Sequence, residues 1–203
     1  MKSHMRPRTA SGFSLIEMLG VVSIGLLVST LAVMSLQPTL KFSRVNNAYN
    51  LALTTLRQAR DMSVSQRQTY FVTFSNAVSP NTITVTQGGT GVVVNTYQLP
   101  TDVAFAVVSG VPTAANTTPD GFGSGGTAID FDQGVAGGNK QVIYFLPDGS
   151  AQDVVGNLNN GVIYIARTGE LYSSHAITLW GATGRLRGWR LYNNAGSPYW
   201  RQN

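Results

Sequence analysis

The chain has 203 residues, no cysteine, 22 glycines and only 11% charged side chains. The lack of cysteine excludes disulfide bonds and thiolate metal sites, and this length allows one ordinary domain besides a terminal segment. Three of the 14 lysines and arginines precede residue 13, which leaves 11 basic and 9 acidic groups, a net charge of +2. Any polyanionic partner must therefore be argued from local clusters of charge.

A run of apolar and small residues extends from Phe13 to Leu36 and contains one charged residue, Glu17. A helix over this run is about 36 Å long at about 1.5 Å per residue, enough to cross a hydrocarbon core of about 30 Å. The preceding residues carry basic side chains and no acid. Because basic flanks stay on the cytoplasmic side, we predict a single membrane span with the following domain on the other side.

The plausible processing site, Gly12, lies before the apolar run, whereas a secretory signal peptide is cut after it. Cleavage there would make Phe13 the first residue and keep the helix. A carboxylate in a membrane segment is costly unless paired, so Glu17 is a candidate functional residue. We predict that the amino terminus of a neighbouring copy neutralises Glu17 and sets the axial stagger of a polymer. The alternative is a plain anchor whose Glu17 is protonated or lies near the headgroups.

Residues 12–19, GFSLIEML, resemble the class III signal of type IV prepilins and pseudopilins. The resemblance implies that a prepilin peptidase cuts after Gly12 and methylates Phe13, and that Glu17, then the fifth residue, serves in assembly. It also implies a filament subunit anchored in the inner membrane with a periplasmic domain. Helices of this family often have a kinking proline late in the span. Pro38 lies a turn beyond that place, so we expect a shifted or absent bend.

Apolar residues recur every three or four positions after the span and predict an amphipathic helix over residues 38–65. From residue 69 onward, β-branched and aromatic residues predict strands, among them 69–74, 82–86, 92–98, 103–108, 127–131, 141–146, 150–155, 161–166, 171–173, 175–180 and 185–192. We expect an α+β, type IV pilin-like architecture in which a long N-terminal helix packs on an antiparallel β domain. The predicted segments are a leader (1–12), a membrane helix (13–37), the amphipathic helix and the β domain (66–203).

The body of the chain resembles the GspH/FimT-like minor pilins and pseudopilins in three places. These are LRQAR at 56–60, IYFLPDG at 143–149, and ITL at 177–179 followed by GRLR at 184–187. FimT-like proteins of natural transformation carry a G-R-x-R motif implicated in DNA binding. The resemblance therefore implies a filament subunit and, as a second possibility, a minor pilin that binds DNA.

The residues around this motif support the second possibility in part. Alternate residues of a strand share one face about 6.6 Å apart, a spacing compatible with neighbouring phosphates. More arginines follow, and all three tryptophans lie between 180 and 200. The candidate DNA-binding residues are Gly184, Arg185, Arg187, Trp189 and Arg190. Alternatively, the arginines protect a hairpin edge and the tryptophans pack in the core. Arg57, Arg60 and Arg67 on the helix form either a binding stripe or a solvated face, and we favour the solvated face.

Catalytic motifs are weak. Residues 121–126 match G-x-G-x-x-G, but its phosphate-binding form needs a helix after it, and a strand is predicted there. Asp130 and Asp132 lack the loop of oxygen ligands that a cation needs. His175 has no cysteine as a partner. We therefore predict no enzymatic activity, no cofactor and no metal. An anchored periplasmic enzyme is the third hypothesis, and it requires a pocket of convergent polar groups.

Overall fold

The computed structural model describes residues 12–113, 116–117, 120–133 and 139–203. The predicted leader lies outside these residues except for Gly12. The chain forms two compact units, Met1–Lys41 and Phe42–Asn203. Helix α1, Leu15–Gln66, contributes its first part to one unit and its remainder to the other. Two antiparallel sheets follow, so the α+β prediction is confirmed.

The described residues of the first unit, 12–41, are exposed, and they are helical from Leu15 onward. Its helix is long and apolar enough to cross a membrane by length and composition. The Ser14 hydroxyl accepts a hydrogen bond from the Glu17 backbone amide at 3.3 Å, and the Ser14 carbonyl accepts one from the Met18 amide. Ser14 therefore caps the helix and places Glu17 in the first turn, where the helix dipole favours a carboxylate. The helix continues through Pro38.

Hydroxyl groups along the apolar helix are hydrogen-bonded within it. Each donates to a backbone carbonyl three or four residues earlier, at 2.7–2.9 Å; the donors are Ser23, Ser29, Thr30 and Ser35. This local bonding satisfies the polar protons without solvent. The helix therefore presents an almost wholly apolar surface.

The second unit contains the β domain and the rest of α1. In chain order, its strands are β1 (Tyr70–Ser75), β2 (Thr82–Gln87), β3 (Val93–Gln98), β4 (Asn116–Thr117), β5 (Asp120–Gly121), β6 (Ile129–Gln133), β7 (Val142–Phe145), β8 (Ala151–Gln152), β9 (Asn160–Ile165), β10 (His175–Trp180), β11 (Arg185–Asn194) and β12 (Ser197–Gln202). One sheet has the order β3-β2-β1-β7-β8 and the other β12-β11-β10-β9-β6, while β4 and β5 pair separately.

The main core lies between α1 and both five-stranded sheets. The predicted helical stripe is buried and includes Val45, Tyr49, Ala52, Leu56 and Ala59. It packs with inward residues of the two sheets, such as Phe74, Phe145, Ile163 and Ile177. Alternate residues of β9 and β10 turn to the other side and form a second cluster with Phe122. The second sheet is therefore covered on both faces, which explains the continuous burial of β9 and β10.

Several predicted details differ from the structure. The strand predicted over residues 150–155 is limited to Ala151–Gln152. Residues 103–108 are not a strand: only Ala104 bridges to Ala166, although Val103 and Phe105 are buried. Residues Leu171–Ser173 form a short 3-10 helix rather than a strand. Strand β12 was not predicted, because its hairpin turn places Ala195 as well as Gly196 at positive φ, 49° and 90°. Alanine seldom adopts that conformation.

His175 is buried between helix and sheet at 1% exposure. Its Nδ1 lies 2.9 Å from the Ser173 carbonyl oxygen, and its ring centroid lies 4.8 Å from that of Tyr49. Burial lowers the pKa of His175 to about 4, and the positive charge of Arg190 acts in the same direction. The folded protein therefore keeps this imidazole neutral at pH values where the unfolded chain protonates it.

We expect acidification to destabilise the fold through His175. The pKa of His175 is about 4 in the folded state, against an ordinary value of 6.5. The free energy of unfolding should therefore fall as the pH drops from 6.5 to 4, by up to about 3 kcal/mol. Denaturant unfolding across this window measures the loss. The His175→Gln variant lacks the titrating group and should show a flatter profile, whatever its stability at neutral pH. Equal slopes in both proteins would contradict this assignment.

Candidate functional site

Gly12, Phe13 and Glu17 lie together at the start of the structure described here. Gly12 and Phe13 precede α1 and are exposed, and no atom lies within 4 Å of the place where a Gly12 side chain would begin. In the described part of the chain, the Glu17 carboxylate takes part in no ion pair. The geometry leaves both the predicted cleavage site and the predicted assembly residue accessible.

The β10–β11 hairpin carries the predicted arginine cluster. Its register pairs Trp180 with Arg185 and Thr178 with Arg187. Strand alternation places Arg185, Arg187 and Trp189 on one face, as expected from the sequence. Arg190 falls on the opposite face, where its guanidinium lies 4.2 Å from the Phe42 ring centroid. The structure thus brings three of the predicted side chains together and separates the fourth.

Two tryptophans near the motif are packed rather than displayed. Trp189 donates from Nε1 to the Thr178 hydroxyl at 2.9 Å and meets the Phe122 ring edge-on, with centroids 5.3 Å apart. Trp200 stacks on the same phenylalanine at 5.4 Å and donates to the Pro112 carbonyl at 2.8 Å. These contacts favour the alternative in which the rings stabilise the second cluster. Trp180 lies at the end of β10, beside the hairpin turn, and is half-buried.

Arg60 joins α1 to two turns of the β domain. Its Nε donates to the Gly149 carbonyl at 3.2 Å, and its Nη2 donates to the Thr183 carbonyl at 3.0 Å. One turn away, the Ser63 hydroxyl donates to the Leu146 carbonyl at 3.0 Å. The interpretation of Arg60 as part of a solvated face is wrong. Its position at the border of the apolar stripe, between Leu56 and Ser63, is the sequence feature that points to this role.

The contact around Arg60 leaves no space for a side chain at Gly184. Its φ is +59°, and a Cβ atom there would overlap the Gly149 carbonyl oxygen and lie 2.8 Å from the Arg60 Nε. The Gly149 turn is itself tightened by Asp148, whose carboxylate accepts bonds from the Ser150 hydroxyl and amide at 2.7 and 2.9 Å. These bonds lower the pKa of Asp148. A side chain at residue 184 would separate the two turns.

The three body segments that carry the family resemblance meet at this contact. Arg60 comes from residues 56–60, Gly149 from residues 143–149, and Gly184 from residues 184–187. They lie far apart in sequence yet pack at one point. The glycine of the G-R-x-R segment therefore has a structural reason that is independent of any ligand.

An open groove of about 870 Å³ lies beside this contact, between α1 and the β10–β11 turn. Three guanidinium groups, one carboxylate and one indole line it, contributed by Arg57, Arg60, Arg185, Asp61 and Trp180. Its volume is within the range of about 300–1,000 Å³ that is typical of ligand sites. The groove is therefore the candidate binding site of the β domain.

The other candidate residues do not assemble into a site. No group of three or more His, Cys, Asp or Glu side chains that could hold a metal occurs in the described ranges. Asp130 is buried and lies 3.7 Å from the Lys140 ammonium. Residues 121–126 are followed by strand β6 rather than by a helix, so they lack the context of a phosphate-binding loop.

No protein-family model, curated protein or solved structure matches this chain at a significant level. A long apolar N-terminal helix combined with an antiparallel β domain is compatible with a type IV pilin-like fold.

We expect Gly184→Ala to destabilise the β domain more than Gly169→Ala. Both glycines have positive φ, but no atom lies within 4 Å of the Cβ position of Gly169. Gly169→Ala should cost about 1–2 kcal/mol of unfolding free energy through backbone strain alone, and Gly184→Ala about 1–3 kcal/mol more through the overlap. Denaturant unfolding of the two variants measures the difference. Equal losses would show that the contact with Gly149 and Arg60 is not critical.

Proposed function

We propose that this chain is a structural subunit of a membrane-anchored filament, namely a minor pilin or pseudopilin at or near the tip of a type IV pilus or a type II secretion pseudopilus. The observation that carries the proposal is the apolar helix of the first unit. Its large side chains are exposed at 55–86% between Phe13 and Leu36. A surface of this kind requires lipid or other apolar helices around it. A filament subunit is surrounded by lipid before assembly and by the helices of its neighbours afterwards.

The proposed history of the chain begins in the inner membrane. Prepilin peptidase cuts between Gly12 and Phe13 and methylates Phe13, and the β domain lies in the periplasm. The helix then leaves the bilayer and packs against the helices of other pilins or pseudopilins. The exposure of Gly12 and Phe13 ahead of α1 supports access of the peptidase. The role is one of assembly rather than catalysis.

Glu17 is proposed to fix the stagger between neighbouring copies. It is the one charged group between Phe13 and Leu36, and it lies at the start of α1, close to the new amino terminus. The amine of the next copy would neutralise it in the apolar bundle. Pairing removes most of the cost of the buried carboxylate only when the two groups meet at one axial offset.

We expect Glu17→Gln to be processed normally but to enter filaments at least about tenfold less well, which corresponds to a loss of about 1.4 kcal/mol. Glutamine preserves size and polarity in the first helical turn and removes only the charge. The fraction of processed chain recovered in sheared filaments measures incorporation. Glu17→Asp, which keeps the charge, is the matched control and should retain partial incorporation. Normal incorporation of Glu17→Gln would exclude the pairing mechanism.

A second proposed function is the binding of DNA for uptake in natural transformation. It is supported by Arg185 and Arg187 on one face of β11, and by the groove that Arg185 shares with two arginines of α1. Lysines and arginines at phosphate spacing supply the sequence-independent part of nucleic-acid affinity.

We expect the double substitution Arg185→Ala and Arg187→Ala to weaken DNA binding and to lower its salt dependence. Each lost phosphate contact should reduce the slope of log K against log salt by about 0.7–0.9. Fluorescence anisotropy over a salt series measures both quantities. Arg190→Ala removes the same charge from the opposite face of the strand and serves as control. Unchanged binding by the double variant would exclude this function.

A further inference from the structure

The groove beside the hairpin turn has two walls of different chemistry. The helix wall carries Arg57 and Asp61, one turn apart on α1, and the hairpin wall carries the cross-strand pair Trp180 and Arg185. Arg60 lies between them, bonded to the turns that close the groove. Residues distant in sequence thus line one concave surface.

Positive charge is concentrated in the groove. Among the lining residues that the structure describes, three arginines face one aspartate, a formal net charge of +2, and the chain after residue 12 has the same net charge. The bonds of Arg60 are to neutral carbonyls, so its positive charge is retained. Within the described segments, Arg57 and Asp61 form no ion pair with each other, although they are four residues apart on the helix.

We infer that this groove binds a segment of single-stranded nucleic acid, with phosphates held by Arg57 and Arg185 from opposite walls and a base stacked on Trp180. The inference rests on the second proposed function and deepens it. It moves the binding site from one face of β11 to a groove shared with α1. It also adds two residues, Arg57 and Trp180, that the motif does not contain.

A single strand fits these groups better than a duplex. An indole can stack on an unpaired base of any kind, and guanidinium groups beside it can follow the backbone. In a duplex the bases are stacked on each other, and only phosphates and groove edges are presented. Trp180 is the tryptophan that lines the groove, whereas Trp189 and Trp200 are held against Phe122.

Asp61 makes the inference testable in both directions. Its carboxylate lies among the arginines of the groove and repels phosphate at short range. Removing that charge should therefore strengthen binding, whereas removing the Arg57 charge should weaken it. Damage to the fold would weaken binding in both variants, so opposite effects are specific to an anion in the groove.

The experiment measures binding of a labelled oligothymidylate to the full chain in uncharged detergent, across a salt series. We expect Arg57→Gln to weaken binding about five- to tenfold and to lower the salt slope by about 0.7, one single-strand phosphate contact. Asp61→Asn should strengthen binding about two- to fivefold. Arg44→Gln is the matched control, an arginine on the same helix that pairs with Asp102 at 3.4 Å outside the groove. Its effect should stay within about twofold.

Tryptophan fluorescence supplies an independent readout. Stacking of a base on Trp180 should quench part of the emission, and Trp180→Phe should abolish that quenching while the emission of Trp189 and Trp200 remains. A stacked phenylalanine retains part of the affinity. Quenching that persists in Trp180→Phe would overturn the assignment of the stacking residue.

The outcomes separate this inference from the function on which it rests. If Arg57→Gln and Asp61→Asn bind like the unaltered chain while the Arg185 and Arg187 double variant does not, the groove is excluded and DNA binding stands. If both variants weaken binding equally, or if duplex of the same length binds as tightly, the groove assignment is overturned. If the unaltered chain binds no oligonucleotide at low salt, the second proposed function fails together with the inference.

Discussion

The contact between Arg60 and the turns at Gly149 and Thr183 is the interaction on which the arrangement of the β domain depends. A guanidinium group has donors in a rigid fork. Here two of them donate to carbonyls in turns that belong to different sheets. The β10–β11 turn is further tied to the first sheet by the Ala151 amide, which donates to the Gly181 carbonyl at 2.7 Å. The helix, the first sheet and the second sheet therefore meet at one polar junction at the edge of an apolar core.

This junction gives the family resemblance a physical explanation. A chain that conserves the contact needs an arginine on the helix and a glycine in each turn. A Cβ at residue 184 would overlap the Gly149 carbonyl oxygen, while residue 149 has a φ of +83° and a Cβ there would lie 3.1 Å from the Arg60 Nη2. The contact alone therefore explains why these three residues occur in the segments that resemble the family, and DNA binding is not needed to explain them. The two arginines of G-R-x-R carry no such steric requirement. A role in binding must therefore be tested by substituting the arginines, because substitution of Gly184 would change the stability of the fold.

The sequence predicted the fold where local periodicity and tertiary packing agree. In the stripe from Val45 to Ala59 the apolar period matches the buried helix face, and in the strand from His175 to Trp180 the β-branched and apolar residues match a strand that is covered on both faces. Prediction failed where context overrides pattern. Residues 103–108 are apolar because Val103 and Phe105 enter the core, although they form no ladder. The site was predicted only in part. Strand alternation places Arg187 and Trp189 on one face, as observed. The position of Arg60 beside the apolar stripe indicates a contact with the domain, but it does not show which turn is reached, 123 positions later in the chain.

The self-bonded hydroxyls of the apolar helix have a mechanical consequence. Since each hydroxyl proton between residues 18 and 36 is donated to the backbone of its own helix, neighbouring helices in a bundle would touch mainly through dispersion forces, which lack direction and vary slowly with sliding. Sliding of an apolar neighbour along this segment would therefore break no directional bond.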